Sequence, residues 1–258
     1  MLDGLIARFR RRMQPSLHGR YTSDYRTLVK YLISTQPRAR AMEIAAGHDD
    51  RIGDVEFSIL DHYGLRDDSY LIDVGCGAGR LARRAAMVPK LRYLGTDVSE
   101  DLLSYAQESC RRPDFRFLRV DSVTIPEEDD AADMVAFFSV GTHLLHEEFF
   151  VYLDDARRVL KRGGRIVFSF LDFQSGTSRE VFKEMVRKVR TGLAPPHLDM
   201  FIGRDDIAVW ADLLGMDLVE TTPGDVVLSA SERVRAVLGR EPPALVLGQS
   251  IAVLAKRG

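Results

Sequence analysis

The sequence is poor in cysteine and contains no long hydrophobic run. Only Cys76 and Cys110 occur among 258 residues. Two cysteines are too few for a framework of disulfides, and this usage is typical of a reducing cytoplasm. No apolar stretch approaches the roughly 20 residues that span a bilayer, and the N-terminus lacks the apolar core of a secretory signal. We therefore predict a cytoplasmic protein without a transmembrane segment.

An overall excess of positive charge is also absent. The 36 Lys and Arg residues nearly balance 38 Asp and Glu residues, which gives a formal net charge of −2. A DNA-binding protein driven by bulk positive charge is therefore not expected. Residues 1–40 are the exception, with nine basic and two acidic residues. This segment begins with the pattern of an amphipathic basic helix, either a cap docked on the domain or a contact with a membrane surface.

From Tyr70 onward, short apolar runs alternate with helical patterns of about ten residues. This alternation predicts an α/β domain with a doubly wound, mostly parallel sheet. We predict a helical cap over residues 1–64 and this domain over residues 65–258. The predicted strands are Tyr70–Val74, Arg92–Thr96, Phe115–Val120, Asp133–Phe138, Arg165–Leu171, Met216–Glu220 and Gly248–Lys256. The predicted helices are Ser23–Ser34, Ile52–Tyr63, Gly79–Met87, Glu100–Ser109, Glu147–Leu160, Ser178–Val189 and Arg204–Leu214.

The most informative segment runs from Leu71 to Arg80, a strand followed by a glycine-rich turn and a helix start. Glycines let a ligand approach the backbone, and the helix start offers open amides. In doubly wound sheets, ligands lie beyond the carboxyl ends of the strands. The turn reads GxGxG rather than the GxGxxG of dinucleotide sites. Asp73, two residues before the first glycine, would repel a pyrophosphate and favour an ammonium group, so we predict a nucleotide-like ligand that carries positive charge.

Acidic residues also follow the next two predicted strands. Asp97 lies about twenty residues beyond the glycine turn, where an acid can accept hydrogen bonds from both ribose hydroxyls. Its alternative role is to cap the next helix, a role that we assign to Ser99. Asp121 and the following Ser122 can address the exocyclic amine and a ring nitrogen of adenine. The alternative is that Asp121 is only a turn residue.

In this order the segments resemble the class I S-adenosylmethionine-dependent methyltransferase family over roughly residues 65–175. The resemblance rests on Asp73–Gly79, Asp97, Asp121–Ser122, Asp133 and the stretch Arg158–Gly164. It implies S-adenosylmethionine as the cofactor. It also implies a Rossmann-like sheet of seven strands, whose last strand runs antiparallel between the fifth and sixth.

The resemblance further implies roles for individual residues. Asp73 would face the methionine ammonium, directly or through water, Asp97 would hold the ribose, and Asp121 with Ser122 would hold the adenine. Cys76 is then a packing residue in the turn and not a nucleophile. The full set of candidate cofactor residues is Asp73, Gly75, Cys76, Gly77, Gly79, Asp97, Val98, Asp121, Ser122, Ser139 and Tyr25.

Methyl transfer requires an acceptor atom in line with the methyl group, and a base only where the acceptor must lose a proton. His143, beyond the fourth strand, is the best candidate base, or else it braces the entry to the next helix. His146 is interpreted as structural. Asp172, after the fifth strand, either orients an acceptor or caps the next segment. No group of residues has metal-ligand spacing, so a metal-dependent mechanism is not expected.

Several segments could enclose an acceptor. We predict that Tyr21 and Tyr25 close over the cofactor. The excursion over 221–247, rich in Pro and Gly, and the stretch 195–201 could cover or wall the acceptor, or simply pack. The tip of the fourth strand, Phe138–Gly141, lacks the Asn/Asp-Pro-Pro-aromatic motif of enzymes that methylate adenine or glutamine nitrogen.

Together these features favour an O- or N-methyltransferase that acts on a small-molecule or glycosyl-type acceptor. Three other functions stay open. The first is a nicotinamide-dependent oxidoreductase, which the GxGxG spacing disfavours. The second is a non-catalytic module that binds the cofactor. The third is an RNA or protein methyltransferase that uses the basic N-terminal segment. The sequence makes no prediction of the oligomeric state.

Overall fold

The computed structural model describes residues 17–46, 50–192, 198–242 and 246–258. The amphipathic basic helix predicted at the N-terminus, with its membrane-surface alternative, lies outside the described residues, as do residues 195–197 of the predicted acceptor wall. Among the residues that are described, no helix combines the length and apolar character needed to cross a membrane.

Three helices precede the sheet: α1 (Leu17–Thr35), α2 (Arg38–Ala46) and α3 (Asp50–His62). The first and third correspond to predicted helices, whereas α2 was not predicted. The α3 helix packs against one face of the sheet, because its apolar side chains, including Phe57 and Leu60, are fully buried there.

The sheet has seven strands in the order β3-β2-β1-β4-β5-β7-β6. Strands β1 to β5 pair in parallel, and β7 pairs antiparallel with both β5 and β6. The predicted doubly wound fold, with an antiparallel last strand between the fifth and sixth, is therefore confirmed. The strands are β1 (Tyr70–Val74), β2 (Arg92–Asp97), β3 (Arg116–Arg119), β4 (Ala132–Phe137), β5 (Leu160–Phe170), β6 (Met216–Thr222) and β7 (Ser250–Lys256).

Helices cover both faces of the sheet, and β1 shows why. Ile72 and Val74 face a core shared with α6 and α8, whereas Leu71 faces a core shared with α3, α4 and α9. A strand buried on both faces is mostly apolar, as the sequence shows over 70–74, where Asp73 is the one charged residue. The remaining described helices are α4 (Arg80–Ala85), α5 (Glu100–Cys110), a 3₁₀ turn (Gly141–His143), α6 (His146–Val159), α7 (Gly176–Arg190), α8 (Arg204–Leu213) and α9 (Glu232–Leu238).

Two sequence-based boundaries were wrong. The fifth strand was predicted to begin at Arg165, but β5 begins at Leu160, directly after α6, and contains the pair Gly163–Gly164. The β4–β5 register shifts between Leu160 and Arg165, so the two glycines lie within the irregular part of the strand. The excursion after β6 is also not a plain loop. It contains α9, whose Val234 packs in the same core as Phe57 of α3.

The strand order reverses at β1, which lies between β2 and β4. Val74 at the end of β1 pairs with Thr96 of β2 and with Phe137 of β4. Such a reversal opens a crevice at the carboxyl ends of the strands, because the following connections leave in opposite directions. Apart from Tyr21 and Tyr25 of α1, the predicted site residues lie at or just beyond the ends of strands that meet at this edge.

Candidate functional site

The glycine turn after β1 is held against its neighbours before any ligand binds. Gly75 and Cys76 donate their backbone N–H groups to the carbonyl oxygen of Thr96, at 2.8 and 2.9 Å. Gly75 has a φ of 70°, and a Cβ there would lie 2.4 Å from Cγ2 of Val140. Only glycine satisfies both constraints.

The same turn contacts the helices on either side of it. Gly79 has a φ of 80°, and a Cβ on it would lie 2.8 Å from that of Ala106 in α5. A Cβ on Gly77 would lie 3.2 Å from that of Ala46 in α2. The turn is therefore packed between the cap helices and α5, which fixes the direction of its amides.

Asp73 is buried on β1, one residue before the strand ends. Its Oδ2 accepts a hydrogen bond of 2.7 Å from the hydroxyl of Tyr93 on β2. Burial raises the pKa of Asp73 to about 7, and the charge of Glu56 adds to the rise, whereas the Tyr93 hydroxyl and Arg80 lower it. A carboxylate in this setting gains from a ligand that brings positive charge.

Asp97 ends β2 and bonds directly to the glycine turn. Its Oδ2 accepts the Gly77 N–H at 3.1 Å and its Oδ1 accepts the Ser99 N–H at 2.9 Å. Burial raises the pKa of Asp97 to about 6, and the backbone N–H groups, including that of Val98, oppose the rise. Ser99 occupies the N-cap position of α5, as predicted, but its side chain makes no cap bond, and the Asp97 carboxylate accepts its N–H.

Asp121, just past β3, is exposed and already paired on both carboxylate oxygens. Arg119 contacts Oδ2 at 2.7 Å, and Arg26 of α1 contacts Oδ1 at 2.9 Å. These contacts lower the pKa of Asp121 and keep it ionised. An adenine amine at this position would share the carboxylate with two guanidinium groups, a competition that the sequence did not indicate. Ser122 is exposed beside it.

Tyr25 and Cys76, two other candidates for the cofactor site, are held in place by contacts within the protein. The Tyr25 hydroxyl donates to the carbonyl oxygen of Ala45 at 3.0 Å, which joins α1 to α2. Burial and the charge of Asp97 raise its pKa, so Tyr25 lies close to the crevice. The side chain of Tyr21 lies outside the described part of the chain. Cys76 is buried and its thiol pKa is raised by burial, as expected of a packing residue.

Ser139, at the end of β4, belongs to a closed ring of hydrogen bonds. Its N–H donates to Oγ of Ser169 at 2.8 Å, the Ser169 hydroxyl donates to Oε1 of Gln249 at 2.6 Å, and Nε2 of Gln249 donates to Oγ of Ser139 at 3.1 Å. The ring holds Ser139 at a φ of 60°, a conformation that non-glycine residues rarely adopt. Ser169 was not predicted as part of the site.

His143 ends the 3₁₀ turn after β4, and its ring is half-buried. Its Nδ1 lies 2.7 Å from the carbonyl oxygen of Leu198. A carbonyl oxygen only accepts, so Nδ1 carries the proton, and in the neutral ring Nε2 is the basic nitrogen. His146 instead contacts the carbonyl oxygen of Phe201 at 2.9 Å and packs edge-on against Trp210. This is a packing role, as predicted.

Asp172 is buried, and both of its oxygens are engaged. Oδ1 accepts the N–H groups of Gln174 at 3.0 Å and Ser175 at 2.6 Å, and Oδ2 contacts Nε of Arg204 at 2.8 Å and the Ser250 hydroxyl at 3.0 Å. Burial would raise the pKa of Asp172, but these partners outweigh it and lower the pKa. Of its two predicted roles, the structure supports the cap and not the orientation of an acceptor.

Sequence reasoning also missed a link between the cap and the glycine turn. Glu56 of α3 is buried and accepts a hydrogen bond of 2.9 Å from Nε of Arg80, the first residue of α4. A glutamate within the buried face of an amphipathic helix was the available signal, because such an acid needs a cationic partner. Within the described residues, no group of three or more His, Cys, Asp or Glu could hold a metal ion.

Residues 71–164 match the family model described as a methyltransferase domain. The ribosomal protein L11 methyltransferase of Thermotoga maritima is 30% identical over 105 residues, covering 41% of this chain and 38% of that protein. The 27-O-demethylrifamycin SV methyltransferase of Amycolatopsis mediterranei is 30% identical over 134 residues, covering 50% of this chain and 48% of that protein. The matched region therefore spans less than half the length of these curated relatives.

Solved structures extend the likeness to nearly the whole chain. The methyltransferase crystallised in complex with the Trm112 methyltransferase activator of Haloferax volcanii covers 90% of this chain and 98% of its own, with a TM-score of 0.62 and 16% identity. At this identity the likeness shows the fold alone. Residues 71–164 thus match a methyltransferase domain, and the chain is similar in fold to solved methyltransferase structures.

Proposed function

We propose that this chain transfers a methyl group from S-adenosylmethionine, the cofactor that the resemblance implies, to an oxygen or nitrogen atom of a small-molecule or glycosyl-type acceptor. The observation that carries the proposal is the pair of buried acids, Asp73 and Asp97, beside the glycine turn. Burial raises the pKa of both acids, so a ligand with an ammonium group and hydroxyl donors would stabilise both as carboxylates.

The residues present fit this cofactor. Asp73 would face the methionine ammonium, with the backbone of Gly75 to Gly77 lining the methionine moiety. The Asp97 carboxylate accepts backbone N–H groups on both oxygens and still has lone-pair capacity for ribose hydroxyls. Asp121 and Ser122 would address the adenine. Because Val140 fills the space that a side chain at position 75 would need, the turn offers backbone alone to the ligand.

S-adenosylmethionine supplies an activated methyl group on a sulfonium. The protein has to place the acceptor atom in line with that methyl group and keep water out. We propose that Nε2 of His143 accepts the proton of a hydroxyl or ammonium acceptor, because the Leu198 carbonyl fixes the proton on Nδ1. The Ser139 ring would shape the floor of the crevice between β4 and β7.

A small acceptor is favoured over RNA or protein by the balanced charge of the chain. The two curated relatives differ in acceptor, since one is named for a ribosomal protein and the other for a demethylrifamycin.

We further propose that residues 1–64 form a helical cap on the domain of residues 65–258. The Arg80–Glu56 and Arg26–Asp121 contacts support this arrangement. The two free buried cysteines support a cytoplasmic location.

Calorimetry with S-adenosylmethionine, S-adenosylhomocysteine and NAD tests the cofactor. Binding of the first two without NAD is expected, whereas binding of NAD alone would overturn the proposal in favour of an oxidoreductase. Transfer of a radiolabelled methyl group is then measured with phenols, amines, sugars, ribosomal protein and RNA. Labelled small molecules support the proposal, labelled protein or RNA corrects the acceptor, and cofactor binding with no label anywhere indicates a non-catalytic module.

A further inference from the structure

Three phenylalanine rings form a contiguous aromatic cluster beyond the carboxyl end of β5. Phe173 and Phe201 stack with ring centroids 4.5 Å apart and planes inclined by 19°. Phe182 of α7 meets both edge-on, with centroids at 5.2 and 5.9 Å. Despite these contacts, Phe173 remains 54% exposed and Phe182 44% exposed. An exposed apolar patch of this kind marks a surface that binds something.

The ring of Phe173 is held outward by a braced turn. Asp172, buried just before it, accepts the N–H groups of Gln174 and Ser175 and is itself fixed by Arg204. On the outside, Arg179 donates to the carbonyl oxygen of Phe173 at 3.1 Å. Because the Asp172 side chain is fixed on the inner side of the turn, the following Phe173 side chain has little freedom to turn toward the core. The exposure of Phe173 is therefore built into the turn, and the surface is ordered before binding.

The cluster is continuous with the proposed base. Phe201 forms a bridge with Leu171, which directly follows β5. Immediately before it, Met200 donates its N–H to the carbonyl oxygen of Thr142 at 2.8 Å, and Leu198 accepts from His143. The stretch 198–201 thus runs from the His143 ring to the aromatic cluster, so that one ligand can contact both.

We propose that the cluster of Phe173, Phe182 and Phe201 binds the body of the methyl acceptor, and that this body is an aromatic ring system. The inference rests on the proposed function, because it places the acceptor nucleophile beside His143. Exposed ring faces bind other rings by offset stacking and by removing apolar area from water. A patch of three rings matches the size of a small fused aromatic and is far smaller than a stable protein interface.

The test uses 2-naphthol as the probe, added to the full chain saturated with S-adenosylhomocysteine, with binding followed by naphthol fluorescence. We expect the unmodified chain to bind 2-naphthol and the Phe173→Ala variant to bind at least tenfold more weakly. Phe173→Trp keeps a ring and should restore binding. Leu213→Ala removes an apolar side chain that is 69% exposed on α8, away from the cluster, and should change nothing.

Affinity for S-adenosylhomocysteine is measured for each variant to separate this inference from the proposed function. S-adenosylhomocysteine could bind normally while 2-naphthol does not bind, or binds to Phe173→Ala as tightly as to the unmodified chain. In either case the inference is overturned and the proposed function stands. If S-adenosylhomocysteine itself does not bind, the proposed function fails first. Equal weakening by Leu213→Ala would show a general surface effect and would also overturn the inference.

Discussion

The backbone N–H of Gly77 donates to Oδ2 of Asp97 at 3.1 Å, so the loop after β1 and the acid after β2 form one unit without any ligand. The two residues are twenty positions apart and lie on adjacent parallel strand ends. An acid so placed orients the glycine amides while keeping lone pairs for a ligand. Its removal should therefore affect both the ligand and the loop.

Replacement of this acid gives the first prediction. Asp97→Ala should weaken S-adenosylhomocysteine binding at least tenfold, because it removes the proposed ribose acceptor and frees the Gly77 amide. Isothermal calorimetry measures the affinity, and a thermal melt checks that the variant is folded. Asp154→Ala removes an exposed acid of α6 and should leave the affinity unchanged. Near-normal affinity of Asp97→Ala would contradict the ribose role.

The pH dependence of cofactor affinity gives the second prediction. The pKa of Asp73 is raised by burial to about 7 from an ordinary 3.8, so the ligand-free acid is partly protonated near neutral pH. A cationic ligand binds the ionised form better, so its affinity should rise with pH through about 7, by at most about tenfold per unit. Calorimetry in two buffers of different ionisation heat should detect the proton that Asp73 releases on binding. In Asp73→Asn the affinity should no longer depend on pH in this range. A flat profile for the unmodified chain would contradict the assignment.

The same pKa determines how the ligand-free protein responds to pH. Between pH 3.8 and about 7 the native state binds more protons at Asp73 than the unfolded chain does. The contribution of Asp73 to the free energy of unfolding should therefore fall as pH rises through this window. Urea denaturation of the unmodified chain and of Asp73→Asn, compared at both ends of the window, isolates this contribution. It should be absent in the variant.

The third prediction concerns the packing of the glycine turn. Gly75→Ala should lower the free energy of unfolding by about 2–4 kcal/mol, because overpacking and a positive φ both oppose a side chain there. The added Cβ would lie 2.4 Å from Cγ2 of Val140. Val140→Ala in the same chain should recover the overpacking part alone. If the loss in the free energy of unfolding of the double variant equals the sum of the two single losses, the clash with Val140 is not the cause.

Ser139 allows backbone strain to be separated from hydroxyl chemistry. Serine already carries a Cβ at a φ of 60°, so Ser139→Ala keeps the backbone strain and loses the hydroxyl bond, which should lower the free energy of unfolding by about 1 kcal/mol. Ser139→Gly loses the same bond but relieves the strain, so its free energy of unfolding should stay close to that of the unmodified chain. Both variants lose the hydroxyl that accepts from Gln249. If the hydroxyl serves the site, both should lose turnover equally. A loss confined to Ser139→Ala would assign Ser139 to backbone geometry alone.

The last prediction tests the base. His143→Ala should lower kcat at least a hundredfold for an acceptor that must lose a proton, with unchanged affinity for S-adenosylhomocysteine. His146→Ala should instead lower the free energy of unfolding by about 1 kcal/mol, because it breaks the bond to Phe201 and the Trp210 contact. Unchanged kcat in His143→Ala would show that His143 only braces the 3₁₀ turn.

The sheet was largely predictable because its strands are buried on both faces and bounded by turns. Tyr70–Val74 was predicted with its observed bounds for this reason. Two helices, α2 and α9, were not predicted from the sequence, for different reasons. The α2 segment has little amphipathic pattern, and α9 sits among prolines and glycines that suggested a loop. The capping signal of α9 was present, since Ser231 accepts the Val234 N–H at 3.1 Å and Gly239 ends the helix at a φ of 65°.

In the site, the positions of the acids were predictable and their partners were not. Asp73, Asp97 and Asp121 follow consecutive strands, so chain order alone brings them to one edge. The Arg26–Asp121 pair joins residues far apart in sequence, and the Ser139 ring draws Gln249 from across the sheet. Such contacts depend on how the cap and the last strand dock, which no local pattern encodes.

The position of β7 has a consequence for synthesis on the ribosome. This strand follows β6 in the chain yet lies between β5 and β6, so neither neighbour can complete its ladder until residues 250–256 have been translated. Until then β5 presents an open edge, and β6 has no partner at all. A nascent chain stalled before Ser250 therefore exposes backbone that invites pairing with another polypeptide, which makes this stage of synthesis a natural point for chaperone binding.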